Sequence, residues 1–278
     1  MKMKRFLTIA ALALGALPVA ADDFGLWTEA VVQKSFSKQF SVDGGFEYRT
    51  EDNMSHPTRW AFSLGTSYKP AKFLSLSAGY VFLRAYNGEE CEADYKKSNG
   101  AFNGYNVDHA YWRNKHRAVF DVTGKVDVGR FTFSLRERYQ YTHYMEATTT
   151  RDKYRDELEP AMVPGWTGDL YPCNGMYFTE FTQESDRVKK AKDKHYLRSR
   201  LQVEYHIRHC AWTPYATYEV SNNLGESMHL DKKRLQVGAE WKITKQHRLD
   251  FAYLYENGAD DDDRDNQHII SVGYKFKF

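Results

Sequence analysis

Along most of this chain, apolar and polar residues alternate one by one. In 39–51, Phe40, Val42, Gly44, Phe46 and Tyr48 share one face, and Ser41, Asp43, Gly45, Glu47 and Arg49 take the other. The same period of two runs through 58–69, where Trp60, Phe62, Leu64 and Tyr68 oppose Arg59, Ser63 and Ser67. It recurs in 73–86, 115–127, 131–144, 195–209, 212–221, 232–243, 248–256 and 268–278, and less regularly in 24–34. Successive side chains of a strand point to opposite faces, so each of these segments reads as a strand with a different solvent on either side. After Asp22 no window approaches the roughly 20 apolar residues that a membrane-spanning helix needs.

The connections alternate as well. Two are long and polar, 87–114 and 145–194, whereas others are tight turns, as at Pro70-Ala71-Lys72. Prolines stay clear of the centres of the alternating segments, where a missing N–H would break the ladder. The pattern predicts an all-β fold, a transmembrane antiparallel up-and-down β-barrel of 10–12 strands with long extracellular loops and short periplasmic turns. Eleven candidate strands are present, and single-chain bacterial barrels have an even number. Either 24–34 stays out of the sheet, giving ten, or one of the long loops hides a twelfth. The N-terminus is expected near the periplasm or tucked into the lumen. In 131–144 the register that turns Phe131, Phe133, Leu135, Tyr139 and Tyr141 outward does the same to Glu137. A charge facing lipid is costly, so a local bulge is expected to re-aim it.

Composition sharpens this picture. Residues 1–21 carry positive charge at Lys2, Lys4 and Arg5, an apolar run and a small-residue Val19-Ala20-Ala21 site. They read as a secretory signal peptide cleaved after Ala21, leaving 22–278 as one barrel domain. Mean hydropathy is −0.69, yet aromatic residues make up 15% of the chain, with 20 Tyr and 17 Phe. That combination suits a barrel with lipid on one face and water on the other. A net charge of +2 gives no footprint for nucleic acid. Three cysteines, Cys91, Cys173 and Cys210, make no disulfide framework. A single Cys91–Cys173 bridge between the long loops and a set of unpaired thiols both remain open.

The terminal stretch, with Ile270, Val272, Tyr274 and Phe276 alternating up to Phe278, resembles the last strand of Gram-negative outer-membrane barrels. Its final Phe is part of the signal read by their assembly machinery. With Phe24-Gly25-Leu26-Trp27, Arg136-Glu137-Arg138-Tyr139 and Pro214-Tyr215-Ala216-Thr217-Tyr218-Glu219, the whole chain resembles a Bacteroidota outer-membrane β-barrel family, domain of unknown function 2490. The resemblance implies the cell outer membrane as the address, and outer-membrane lipid, lipopolysaccharide and the barrel-assembly machinery as partners. It implies no activity.

The inward faces are expected to carry Arg49, Arg59, Arg117, Arg136, Arg138, Arg198, Arg200, Arg234 and Arg248 against Asp43, Glu47, Asp121, Glu204, Glu219, Glu240 and Asp250. Such residues commonly pair and fill a small lumen. The alternative is a path for anionic or sugar solutes, with Arg136, Arg138, Arg198 and Arg200 as a lumenal basic cluster sharing one wall. Three functions follow in falling order: a closed structural or surface-binding barrel, a small diffusion channel, and an outer-membrane lipid hydrolase. For the last, Lys96-Lys97-Ser98-Asn99-Gly100 distantly resembles the His-x-Ser-Asn-Gly stretch of outer-membrane phospholipases, but Lys96 stands where the base would be. No catalytic residue, cofactor or metal site is assigned. The acidic run Asp260–Asp263 with Asp265 lacks the Gly and distal Glu of a calcium loop and reads as a solvated tip.

Overall fold

The computed structural model describes residues 24–258 and 266–278. The expected signal peptide and the acidic run at 260–265 lie outside the described residues. The chain begins with β1 (Phe24–Ser35), β2 (Phe40–Glu51), β3 (His56–Ala71), β4 (Leu74–Asn87), β5 (Glu90–Tyr95), β6 (Phe102–Asp108), β7 (Tyr111–Val128) and β8 (Phe131–Tyr144). It continues with β9 (Ala147–Leu158), β10 (Tyr171–Cys173), β11 (Met176–Lys189), β12 (Lys192–Tyr205), β13 (Trp212–Asn223), β14 (His229–Lys242), β15 (His247–Asn257) and β16 (Gln267–Lys277). The eleven segments that alternate in sequence are the eleven strands of a closed barrel, in the order β1-β16-β15-β14-β13-β12-β8-β7-β4-β3-β2.

The strand count is therefore neither ten nor twelve. β1 joins as a full strand, antiparallel to β2 and parallel to β16, in register from Phe24 opposite His268 to Gln33 opposite Lys277. An odd number only obliges the closing pair to run parallel, a slightly weaker ladder per residue than an antiparallel one. The last residue seals the seam, as Phe278 N donates to Gln33 O at 3.0 Å and Ser35 N to Phe278 O at 3.1 Å. Parallel closure also starts β1 away from the near rim, while the residues before Phe24 lie outside the described residues. Phe24 enters the barrel at the rim opposite Phe278, here the far rim, where Met54 N donates to its carbonyl.

The near rim, which carries Phe278, has the short turns expected of it, including the two-residue links between β3 and β4 and between β7 and β8. At the far rim the segments expected as loops are instead a second sheet of five strands, in the order β10-β11-β9-β6-β5. Charged residues mask its pattern in the sequence, but one face is aromatic. Phe178 is fully buried, with ring centroids 6.0 Å from both Tyr105 and Tyr154. Close approach of β6 to β9 depends on Gly104, at φ +116°, where a Cβ would stand 1.8 Å from Tyr154 O. Arg113 anchors the base of this outer sheet, donating to Met145 O at 2.7 Å and to Lys190 O at 2.5 Å.

The barrel exterior is apolar at mid-height, with Leu64, Leu201, Leu235 and Val237 each about half exposed or more. Aromatic rings flank this band. Towards the far rim Trp60 meets Phe82, Tyr86 meets Trp112, Tyr141 meets His195 and Tyr255 meets His268. At the near rim Phe131 meets Tyr205, Trp212 stacks on Trp241, and Phe276 stacks on Phe278. Glu137 does point outward, but no bulge re-aims it, since β8 stays in register with both neighbours. Ser199 Oγ on the adjacent strand donates to its carboxylate at 2.6 Å, supplying a polar partner where lipid could not.

Candidate functional site

The lumen is built by the inward half of every strand, and its walls are unequal. On β3 and β4 the inward positions are small, with Ala61, Ser63, Gly65 and Ser67 beside Ser77, Gly79 and Val81. On β8 and β12 the residues that line the chamber are Arg136, Arg138, Arg198 and Arg200. These two strands, separated in the sequence by the whole outer-sheet insertion, are adjacent, with Arg138 directly opposite Arg198 and Arg136 directly opposite Arg200. The four arginines picked out in the sequence thus share one wall.

Like charges facing each other across a ladder destabilise it unless they are compensated. Arg138 is held by Asp121 through two bonds, Nε to Oδ1 at 2.6 Å and Nη2 to Oδ2 at 2.7 Å. Glu219 on β13 serves the others. Arg136 Nη2 donates to its Oε2 at 2.6 Å, Arg198 Nε to its Oε1 at 3.1 Å, and Arg234 Nη1 stands 3.5 Å away. Only about 5% of Glu219 is exposed, so a single buried carboxylate holds two guanidiniums directly, while Arg234 is held chiefly by Glu256, its Nε donating to Oε2 at 2.6 Å. Arg200 faces Glu219 across the β12–β13 ladder, and its buried Nε makes no hydrogen bond to any of the described residues.

Above this wall, towards the far rim, the inward side chains are buried. Lys115, Thr142 and Glu256 have no exposed surface, and Tyr144, Tyr196 and Gln267 have almost none. Lys115 Nζ lies 4.4 Å from the centre of the Tyr144 ring, and Lys232 Nζ bonds Glu256 at 2.8 Å. Just beneath sits a cavity of about 40 Å³ lined by Arg49, Arg59, Arg117, Arg198, Lys232 and Arg234, with Glu219 its one carboxylate. Arg49 spreads over the inward-facing Trp27 at 3.6 Å from the ring centre, a cation–π contact. Below that a chamber of about 700 Å³ runs along the small-residue wall towards Lys275 near the near rim. Nine cationic side chains and seven carboxylates line it, so positive charge is in excess.

Sequence reasoning placed the charges on the inward face but missed Trp27, the packed layer and the central role of Glu219. Period-two alternation says which face a residue takes. It does not give its height in the barrel, which depends on register. Lys96-Lys97-Ser98-Asn99-Gly100 forms the turn between β5 and β6, closed by Gly100 N donating to Lys96 O at 2.8 Å, and lies away from the barrel exterior. Among the described residues, one trio of metal-ligating type, Glu226, His229 and Asp231, gathers within 4.8 Å at the far-rim β13–β14 turn.

The outer sheet carries its own ion network. Asp108 is paired with Arg151, Nη2 to Oδ2 at 2.7 Å, and with Lys189 Nζ at 2.6 Å. Burial pushes its carboxyl upward, and the bonds and charges of Arg151 and Lys189 more than reverse this, holding it at about 2, below its ordinary 3.8. A depressed carboxylate stabilises the fold above its unfolded pKa, and that contribution is lost as pH falls from about 4 to about 2. It amounts to about 2 kcal/mol. Hydrogen-exchange protection of β6, β9 and β11 should therefore drop between about pH 5 and about pH 2, and Asp108→Asn should remove most of that pH dependence.

A closed barrel, apolar outside, charged inside and banded by aromatic rings at both rims, is an outer-membrane-type β-barrel. The chain belongs to the family described as Protein of unknown function (DUF2490), which matches residues 24–267. Among solved structures it is similar to the β domain of the Bordetella autotransporter BrkA, at 10% identity and a TM-score of 0.44, over 87% of this chain and 83% of the other. Comparison with curated proteins finds no match.

Proposed function

We propose that this chain is an integral outer-membrane barrel with a plugged lumen, which holds the outer sheet at the cell surface as a binding or structural platform. The carrying observation is the layer of inward side chains under the far rim, Lys115, Thr142, Tyr144, Tyr196, Glu256 and Gln267, all with little or no exposed surface. About eight strands give an interior that side chains fill, and 16 to 18 leave an aqueous channel. Eleven lie between, so side-chain length decides, and arginine and tyrosine reach far towards the axis. The half-exposed apolar band and its aromatic borders support contact with outer-membrane lipid and lipopolysaccharide, and the terminal Phe278 supports delivery by the barrel-assembly machinery.

A second reading is favoured by the six cationic side chains around Glu219 and by the excess positive charge of the larger chamber. On this reading the chamber is an anion path, with Arg136, Arg138, Arg198 and Arg200 binding the solute. Planar bilayers separate the two. Purified folded protein should give little or no steady conductance. Large conductance proportional to added protein would overturn the plugged reading, and Arg138→Ala and Arg200→Ala should then reduce its preference for anions.

A further inference from the structure

The outer sheet contains a pair of groups that the lumen does not use. Cys91 lies in β5 and Cys173 in β10, the two edge strands of the five. In a flat sheet those edges would stand about 19 Å apart, four strand spacings of about 4.8 Å. Here the Cys91 thiol is within hydrogen-bond reach of Cys173, so the sheet is rolled.

The aromatic face accounts for the rolling. Cys91 stands opposite Val107, and Val107 opposite Asp152, which puts all three on the face that carries Tyr105 and Tyr154. From the other edge, Tyr171 stands opposite Phe178 and stacks on Phe181 at 5.2 Å. Phe181 and Phe178 both close on Tyr154, at 5.3 Å and 6.0 Å. Tyr105 on β6 and Phe178 on β11 have β9 between them and in a flat sheet would stand about 10 Å apart, yet their ring centroids are 6.0 Å apart, so the sheet curls on this face, and curling carries β10 round to β5.

We propose that Cys91 and Cys173 form a disulfide that joins the two edges of the outer sheet and closes it into a ring. Both are thiols in the structure, Cys91 exposed and Cys173 partly shielded. Burial and the adjacent Cys91 push the Cys173 thiol up to about 11, and Cys91 is the more exposed of the two, so an incoming donor meets Cys91 first. Cys91, as thiolate, attacks the disulfide of a donor, a thiol–disulfide oxidoreductase of the exported compartment or a small oxidised thiol. One donor sulfur leaves as thiolate and Cys91 is held as a mixed disulfide. Cys173 then loses its proton to water and attacks the Cys91 sulfur, and the second donor sulfur leaves. The chain gives up two protons and two electrons, and the donor's disulfide is reduced to two thiols. Cys210, in the near-rim turn between β12 and β13, is at the opposite end of the barrel and has no part in this.

Only the supply of oxidant rests on the exported location proposed above, and the test is independent of it. The full chain, folded in detergent and confirmed as a barrel by its shifted gel mobility before boiling, is reduced and then exposed to oxidised glutathione. After acid quenching and unfolding, thiols are alkylated and peptides are identified by mass. The expected product is a Cys91–Cys173 cross-linked peptide, with Cys210 recovered as thiol or glutathione adduct. Cys210→Ser should leave the cross-link intact, whereas Cys91→Ser should leave Cys173 unbridged, and Cys173→Ser should do the same to Cys91. Oxidation should also slow protease cleavage within the outer sheet by about tenfold or more, because edge strands open most easily, and Cys91→Ser should abolish that difference. Recovery of Cys91 and Cys173 as separate adducts or free thiols from protein that passes the gel test would overturn the proposal. The membrane reading would stand in that case, because conductance and lipid insertion are measured separately.

Discussion

Glu219→Ala is expected to destabilise the barrel by about 3–5 kcal/mol, the usual cost of removing one partner from a buried ion pair. The carboxylate receives Arg136 and Arg198 and has Arg234 at 3.5 Å. Its loss would leave guanidiniums facing one another across the β8–β12 ladder, with Asp121, already held by Arg138, as the remaining counter-charge on that wall. Urea unfolding in lipid vesicles measures the effect. The double variant Arg136→Ala with Glu219→Ala should lose less than the sum of the two single variants, because each already breaks the same contact. A loss below about 0.5 kcal/mol, typical of an ordinary surface position, would show that Glu219 does not hold this wall. The same variant bears on the plug, since released arginines would be free to change rotamer and the residual conductance should rise.

The second large effect contrasts two neighbours on β3. Leu64 lies at mid-strand on the outer face, 66% exposed, and Ser63 lines the chamber. In a membrane, Leu64→Arg should cost about 2–4 kcal/mol, the penalty for arginine at the bilayer midplane. Ser63→Arg directs the same charge into a chamber of about 700 Å³ and should cost well under that. If the exterior faced water, the order would reverse, since replacing an exposed leucine by arginine would be close to neutral. Unfolding measured in vesicles for both variants therefore tests the environment of the outer face, one residue step apart.

These contrasts could be designed from sequence because the face of each residue was legible there. Alternation placed β8 at 131–144, its observed span, and turned Arg49, Arg59, Arg117, Arg136, Arg138, Arg198, Arg200, Arg234 and Arg248 inward, where they line the interior. What alternation could not supply was relative height. Arg138 and Arg198 are opposite each other only because β9, β10 and β11 form a sheet outside the barrel and return the chain to the β8 edge in register. That sheet was unreadable because its aromatic positions, Tyr105, Tyr154, Phe178 and Phe181, are interleaved with ion-paired residues such as Asp108, Arg151 and Lys189, whose polarity imitates a solvated loop. The parity of the barrel failed for a different reason. β1 has inward Trp27 and Glu29 and a full ladder on both sides, whereas counting by precedent allowed only an even number.

The parallel seam bears on how this chain could be re-cut. In an antiparallel closure the first and last strands meet at one rim, and a short linker could join the two ends for circular permutation. Here Phe24 and Phe278 are at opposite rims. The ten paired positions between Phe24 and Gln33 correspond to about 33 Å of strand. A linker joining the ends would need about ten extended residues or more, threaded through the bore or laid across the apolar exterior. The inward side chains under the far rim are buried, and an unpaired backbone on the exterior would leave its amides without partners in lipid. Permuted chains with a short linker should therefore fail to close, and splitting the gene between β7 and β8 into two co-expressed fragments should succeed more readily than joining its ends.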